Sequence, residues 1–182
     1  MIPRFLLATL MAAILATTSP LSAFADPAKE LGDKALAALE ELYQSEPDTK
    51  ALGEKSVAIL VFPEIVKGGV IIGGQFGEGA LIVDGKPTEF YNIASASIGL
   101  QLGGQTFSYA MFFLTDNGLQ YLRDSSGWEL GVGPTLVGGD EGWSKSLGTN
   151  NLQGDIAPVF FGQSGLMGGG SIQGSKITEI DP

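Results

Sequence analysis

The stretch "SVAILVFPEIVKGGVIIGGQFGEGALIVDGK", residues 56–86, decides the fold class of this chain. It opens with a β-rich apolar run that stops at Pro63, and it closes on Asp84-Gly85, a strong signal for a hairpin turn. Between these points, "GVIIGGQFGEGALIV" predicts one long strand or a hairpin. Glycines recur every few residues, which in sheets marks bulges, strong coiling or close backbone approach. The stretch therefore predicts a glycine-rich sheet.

The same pattern continues to the C-terminus. The chain has 27 glycines, and only Gly32 and Gly53 precede residue 68. The segment "EFYNIASASIGLQLGGQTFSYAMFFLT" predicts about three short strands, the last of them buried on both faces over Phe107–Leu114. "DIAPVFFGQSGLMGGGSIQGSKITEI" predicts two or three more strands, after a polar loop over residues 140–153. Such repeated strands predict a mainly antiparallel β-sandwich or barrel-like core.

The segment before the sheet has helical periodicity. In Pro27–Ser45, "PAKELGDKALAALEELYQS", apolar residues recur at helical spacing and Pro27 suits the first turn. Two interpretations of this amphipathic helix are open: it packs its apolar face on the domain, or it lies in a membrane interface. Asp48–Lys55 predicts a second short turn with Asp48 as its cap, and Thr115–Ser125 predicts one further short helix. The expected class is α+β.

The first 25 residues have the pattern of a cleaved signal peptide. Arg4 precedes an apolar stretch, and Ala23-Phe24-Ala25 is an A-x-A cleavage site. We therefore expect cleavage after Ala25 and a single domain over residues 26–182, helical over 26–55 and a glycine-rich β core over 56–182. With no cysteine to accept a lipid anchor, the expected product is a soluble periplasmic or secreted protein and not a lipoprotein.

Composition argues against several classes of function. The formal net charge of −10 repels phosphate backbones, so no nucleic-acid partner is expected. The chain contains neither cysteine nor histidine, which removes thiolate metal sites, the commonest metal ligand and the usual general base. The carboxylates show no spacing that selects a catalytic pair. We therefore expect a non-enzymatic protein with no cofactor and no metal.

The C-terminal stretch "GGSIQGSK", residues 169–176, resembles a phosphate-binding loop only superficially. A P-loop needs lysine directly after its second glycine, followed by serine or threonine, whereas here Ser175 precedes Lys176. The loop must also open a helix, and the residues after Lys176 favour a strand. No nucleotide partner is expected.

Lys67 is the most informative isolated charge. It follows an apolar strand and directly precedes Gly68 and Gly69, whose backbone amides could help to cradle an anion. One interpretation is a contact with a lipid headgroup, and the other is a strand-end lysine in solvent.

Four blocks of the sequence together resemble a known family. "ILVFPEIVKGGVIIGGQFGEGALIVDGK", "FYNIASASIGLQLGGQ", "FFLTDNGLQYL" and "GLMGGGSIQGSKI" occur in this order and are similar to the successive blocks of the SYLF domain, the lipid-binding domain also known from yeast actin-binding proteins. The resemblance runs from about Ala35 to Ile180, which is nearly all of residues 26–182.

The resemblance implies a non-enzymatic phospholipid-binding protein of the cell envelope. Binding to a phospholipid or membrane surface is expected to be weak or transient, because the helix carries more acidic than basic residues. An alternative is a structural module that docks another envelope protein. The candidate lipid-binding residues are Lys67, Gly68, Gly69, Lys29, Lys34 and Lys176.

Overall fold

The fold is α+β and is built on a five-stranded antiparallel sheet. It is known from a computed structural model that describes residues 26–124, 128–130 and 155–182; the predicted leader and the predicted loop at 140–153 lie outside these ranges. The elements in chain order are α1 (Pro27–Ser45), α2 (Asp48–Gly53), β1 (Ala58–Gly69), β2 (Ile72–Val83), β3 (Lys86–Phe113), α3 (Asp116–Asp124), β4 (Trp128–Leu130) and β5 (Ile156–Ile180).

The strand order of the sheet is β1-β2-β3-β5-β4, with an additional pairing of β1 with β3. The first half of β3 is in register with β2 and its second half with β1, so these three strands are mutually paired. The predicted turn between β2 and β3 is present, since Asp84 and Gly85 have φ of 50° and 74°. The sheet is open, and the predicted sandwich or closed barrel is therefore not confirmed.

Two strands are much longer than the sequence predicts. The region expected to form about three strands is the single 28-residue strand β3, and the region expected to form two or three is the 25-residue β5. The prediction treated glycine as a break. In the structure, Gly103 and Gly162 take φ of 134° and 60°, and the register of β3 with β5 shifts between Thr106 and Ser108. The strands are thus irregular at these points without ending, because glycine keeps its backbone hydrogen-bonding groups.

The sheet buries side chains on both faces over part of its area. The inner face is the one that carries Leu60, Phe62 and Ile65 of β1 together with the large aromatic residues of β3. The outer face carries Ile59 and Val61 of β1 and is covered by α1. Every residue from Phe107 to Phe113 is buried, which confirms the prediction of a strand buried on both faces.

Helix α1 packs on the outer face. Asp26 caps the helix by accepting a hydrogen bond from the Ala28 amide at 3.1 Å, and Pro27 occupies the first turn. Four buried helix side chains pack against outer-face residues of β1, β2 and β3: Ala35, Ala38, Leu39 and Leu42; Leu31 is also buried. Packing on the domain, the first of the two predicted interpretations, is therefore what the structure shows.

The two short helices differ in how well the sequence predicted them. Helix α3 is close to its predicted span, and Thr115 caps it by accepting a hydrogen bond from the Gly118 amide at 3.2 Å. Helix α2 begins at Asp48, but the capping position is Pro47 and no side chain caps it. The prediction of Asp48 as the cap is therefore wrong. Among the described residues, no helix is long and apolar enough to cross a membrane.

Candidate functional site

The β1–β2 hairpin ends in three consecutive exposed aliphatic residues. Val70, Ile71 and Ile72 are 61%, 66% and 70% exposed, and we call these three residues the apolar tip. The Val70 amide donates a hydrogen bond to the Ile72 carbonyl at 3.4 Å, which closes the turn. Single exposed aliphatic residues are ordinary, but a contiguous apolar group at the end of a hairpin indicates a contact surface.

The exposed apolar surface continues down the outer face of the hairpin. Val66 and Phe76, which lie opposite each other on β1 and β2, are 54% and 51% exposed. They are exposed because helix α1 covers the outer face only nearer the other end of β1, at Ile59 and Val61. One step further from the tip, Glu64 lies opposite Glu78, and both are exposed. This acidic pair bounds the apolar surface.

On the inner face, a row of polar side chains crosses the sheet close to the apolar tip. Register places these residues side by side on neighbouring strands, and we call the row the polar belt: Gln105, Lys67, Gln75, Ser95 and Ser175. The hydroxyl of Ser95 donates a hydrogen bond to that of Ser175 at 2.6 Å. The next row away from the tip is the apolar core, with Ile65, Phe107, Ile93 and Ile177 buried. The belt therefore lies at the boundary between the core and the tip.

A buried lysine lies between the two glutamines of the polar belt. Lys67 is 1% exposed, and its neighbours on either side, Gln75 and Gln105, are 8% and 4% exposed. Removal of the ammonium from water lowers the pKa of Lys67 below its ordinary value. A buried charge is costly, so a lysine here is a candidate for a function other than stability.

The buried lysine predicts a specific dependence of stability on pH. Because the pKa of Lys67 is lower in the folded state, the unfolded chain binds more protons in the window from that lowered pKa up to 10.5. Deprotonation of Lys67 should therefore raise the free energy of unfolding of the wild type as pH rises through this window. Lys67→Met lacks this contribution, so its free energy of unfolding minus that of the wild type should fall between pH 7 and pH 10 in urea denaturation. Parallel pH profiles for the two proteins would contradict this.

The structure changes the interpretation of Lys67, Gly68 and Gly69. The burial of Lys67 does not fit a strand-end lysine in solvent, whereas the other interpretation, a contact with a lipid headgroup, stays a prediction. The two glycines do not form the turn: they lie within β1, in register with β2 on one side and β3 on the other. Their backbone therefore belongs to the sheet, and the turn follows at Val70 and Ile71.

The other predicted lysines lie elsewhere. Lys29 and Lys34 are exposed on α1 and form ion pairs with Asp33 at 2.6 Å and Glu30 at 2.7 Å, which raise the pKa of each lysine. They do not join Lys67 in one cluster. Lys176 is exposed on β5, and register places it level with the Val66–Phe76 pair, on the far side of β3.

Sequence reasoning missed the apolar tip and the two glutamines. "VII" is included in a strand or hairpin, because local rules assign β-favouring aliphatic residues between two glycine pairs to a strand. Gln75 and Gln105 carry no local signal, because only the pairing of β1 with both β2 and β3 brings them beside Lys67.

Comparison with protein-family models gives no match to this chain, and comparison with curated proteins gives none either.

Proposed function

We propose that this protein is a non-enzymatic, phospholipid-binding protein of the cell envelope that contacts a membrane through its apolar tip. The observation that carries the proposal is the exposure of Val70, Ile71 and Ile72 at the end of the β1–β2 hairpin. The resemblance of the sequence to SYLF domains supports the same class of ligand. Export to the periplasm is part of the proposal and rests on the signal-peptide pattern.

A hairpin tip is suited to entering a bilayer because its backbone is largely satisfied internally. Strands β1 and β2 stay in register up to the Gly69–Gly73 pair, and the turn beyond is closed by the Val70–Ile72 hydrogen bond. Unpaired backbone groups are expensive in hydrocarbon, so a closed turn enters at lower cost than an open loop. Burying one aliphatic side chain contributes about 1.5–3 kcal/mol. Three of them contribute roughly 4–9 kcal/mol before the costs of association, which is typical of weak, reversible binding.

The charge of the chain gives this mode of binding a distinct salt dependence. The formal net charge is −10, and the tip itself carries no charge. Repulsion from an anionic bilayer is therefore screened by salt, while apolar insertion is not. We expect salt to leave binding unchanged or to strengthen it, the opposite of binding through a basic surface.

The outer face positions one cation for a secondary contact. Lys176 lies level with Val66 and Phe76, separated from Phe76 by the width of β3. Two strands with one strand between them lie roughly 10 Å apart. When the apolar tip is inserted, Lys176 is the best placed of the three exposed predicted lysines to reach a headgroup phosphate. Lys29 and Lys34 keep their ion pairs on α1 in this arrangement.

Liposome flotation of residues 26–182 tests the proposal. Vesicles rich in phosphatidylglycerol or cardiolipin are compared with pure phosphatidylcholine at low and moderate salt. We expect co-flotation with all three, and an undiminished bound fraction as salt rises. Failure to float with any of these vesicles would reject the membrane contact, and the alternative of a module that docks another envelope protein would then be favoured.

A further inference from the structure

The polar belt contains buried hydrogen-bonding atoms for which the described structure supplies no partner. The side-chain oxygen of Gln75 is one, and both the oxygen and the nitrogen of the Gln105 amide are two more. Both residues are more than nine-tenths buried. Buried polar atoms are nearly always paired, so a concentration of unpaired ones on either side of one lysine points to a ligand.

The unpaired atoms specify the chemistry of that ligand. Two of the three are amide oxygens, which require donors, and the third is an amide nitrogen, which requires an acceptor. The Lys67 ammonium between them adds a positive charge and further donors. A group that combines hydroxyls with an oxyanion meets all these requirements, whereas a phosphodiester that carries no hydroxyl offers the glutamine oxygens no donor.

A row of glycines separates the polar belt from the apolar tip. Alternation along the strands places Gly69, Gly73 and Gly103 on the inner face directly beyond Lys67, Gln75 and Gln105. None of the three has a side chain to extend over the belt. A ligand entering from the tip end of the sheet therefore meets no side chain from these positions.

The depth of the belt matches that of a lipid headgroup. Lys67 precedes Ile71 by four residues, which corresponds to roughly 13 Å along an extended strand. Apolar segments that lie in a membrane interface reach about 5–10 Å into the boundary between headgroups and acyl chains. An inserted tip thus leaves the polar belt at the level of the headgroups.

We propose that the polar belt, with Lys67 between Gln75 and Gln105, is a binding site for a phosphoglycerol group. The inference rests on the proposed function for the source of the group, a phosphatidylglycerol headgroup in the membrane that the apolar tip contacts. The phosphate accepts hydrogen bonds from the Lys67 ammonium and the Gln105 amide nitrogen. The glycerol hydroxyls donate to the amide oxygens of Gln75 and Gln105.

Flotation with two lipids of matched acyl chains tests the site. Phosphatidylcholine vesicles are doped with equal amounts of phosphatidylglycerol or of phosphatidic acid, which has the phosphate without the terminal glycerol. We expect about tenfold tighter binding to the phosphatidylglycerol vesicles, the effect of one or two well-placed hydrogen bonds. Equal binding to both would show that the belt does not select this lipid headgroup, and would leave the proposed function standing.

Two variants test whether the polar belt causes the preference for phosphatidylglycerol over phosphatidic acid. Gln75→Leu and Gln105→Leu remove the amides at nearly constant volume, so the fold should persist, as circular dichroism and thermal unfolding will show. Each should bind both vesicle types alike while still floating. Thr106→Val, which removes a hydroxyl next to Gln105 on the opposite face, should keep the full preference. A preference retained in both glutamine variants contradicts the proposal.

A titration with a soluble ligand distinguishes the lipid headgroup from a free source of the same chemical group. Glycerol 3-phosphate is titrated into the wild type and Gln105→Leu, and the melting temperature is followed. A rise in the wild type alone supports the site even if no vesicle is bound, and identifies a soluble ligand. Absence of any shift together with absence of a lipid preference rejects it.

Discussion

Replacing two residues of the apolar tip with serine, Val70→Ser and Ile72→Ser together, should lower vesicle binding by more than tenfold. The substitutions remove two of the three aliphatic side chains whose transfer from water drives the contact, at about 1.5–3 kcal/mol each. Serine adds no charge, so the loss cannot be ascribed to repulsion from anionic lipid. The measurement is the bound fraction in liposome flotation with phosphatidylcholine vesicles and with phosphatidylglycerol vesicles.

The matched control lies at the other end of the same strand. Val57 immediately precedes β1 and is 37% exposed, so Val57→Ser removes an exposed valine far along the strand from the tip. This variant should float like the wild type. Both proteins should unfold at nearly the wild-type temperature, because exposed side chains contribute little to stability. A double tip variant that floats as well as the wild type would show that the membrane contact lies elsewhere.

The second large effect concerns α1 and is on stability. Leu42 is fully buried between α1 and the outer face, in a cluster with strand residues such as Val61 and Phe112. Leu42→Ala should lower the free energy of unfolding by about 2–5 kcal/mol, since it removes buried methyl groups and leaves a cavity. Urea denaturation followed by circular dichroism measures this.

The same variant separates the two interpretations of α1. If α1 serves to cover the outer face, folded Leu42→Ala protein should float with vesicles as the wild type does. If α1 instead detaches and lies in the membrane interface, losing a leucine from its apolar stripe should weaken flotation. Reduced binding by a variant that is still folded at the assay temperature would therefore move the contact from the tip to the helix. Leu36→Ala, at a partly buried position on the same helix, gives a milder comparison.

The sequence predicts the elements of this fold better than their arrangement. Helical periodicity and Pro27 in the first turn locate α1, α3 is close to its predicted span, and the Asp84-Gly85 pair identifies the β2–β3 turn. These features depend on neighbours within a few residues, which a single sequence displays directly. The lengths of β3 and β5 were not predictable, because local rules treat glycine as a break whereas the partner strands hold these segments in register.

In the candidate site too, the sequence displays local features but not the pairing of strands. Lys67 stands out in the sequence as an isolated cation in an apolar setting, but its burial depends on pairing with β2 and β3 at once. Gln75 and Gln105 lie beside Lys67 only because their strands pair with β1, and local sequence patterns do not show this pairing. Local chemistry therefore identified one residue of the polar belt, and only the topology of the sheet identified its neighbours.

The mutual pairing of β1, β2 and β3 also divides the molecule by how its backbone amides exchange with solvent. From Phe90 to Ile98 and from Gly103 to Phe113, β3 has β5 on one side and β2 or β1 on the other. Amides there are released only when the whole sheet opens, and should exchange at the rate of global unfolding. The hairpin end beyond Gly69 can open while the β3–β5 ladder remains closed. The part of the protein that we propose to contact a membrane is thus free to adapt without weakening the framework that carries it.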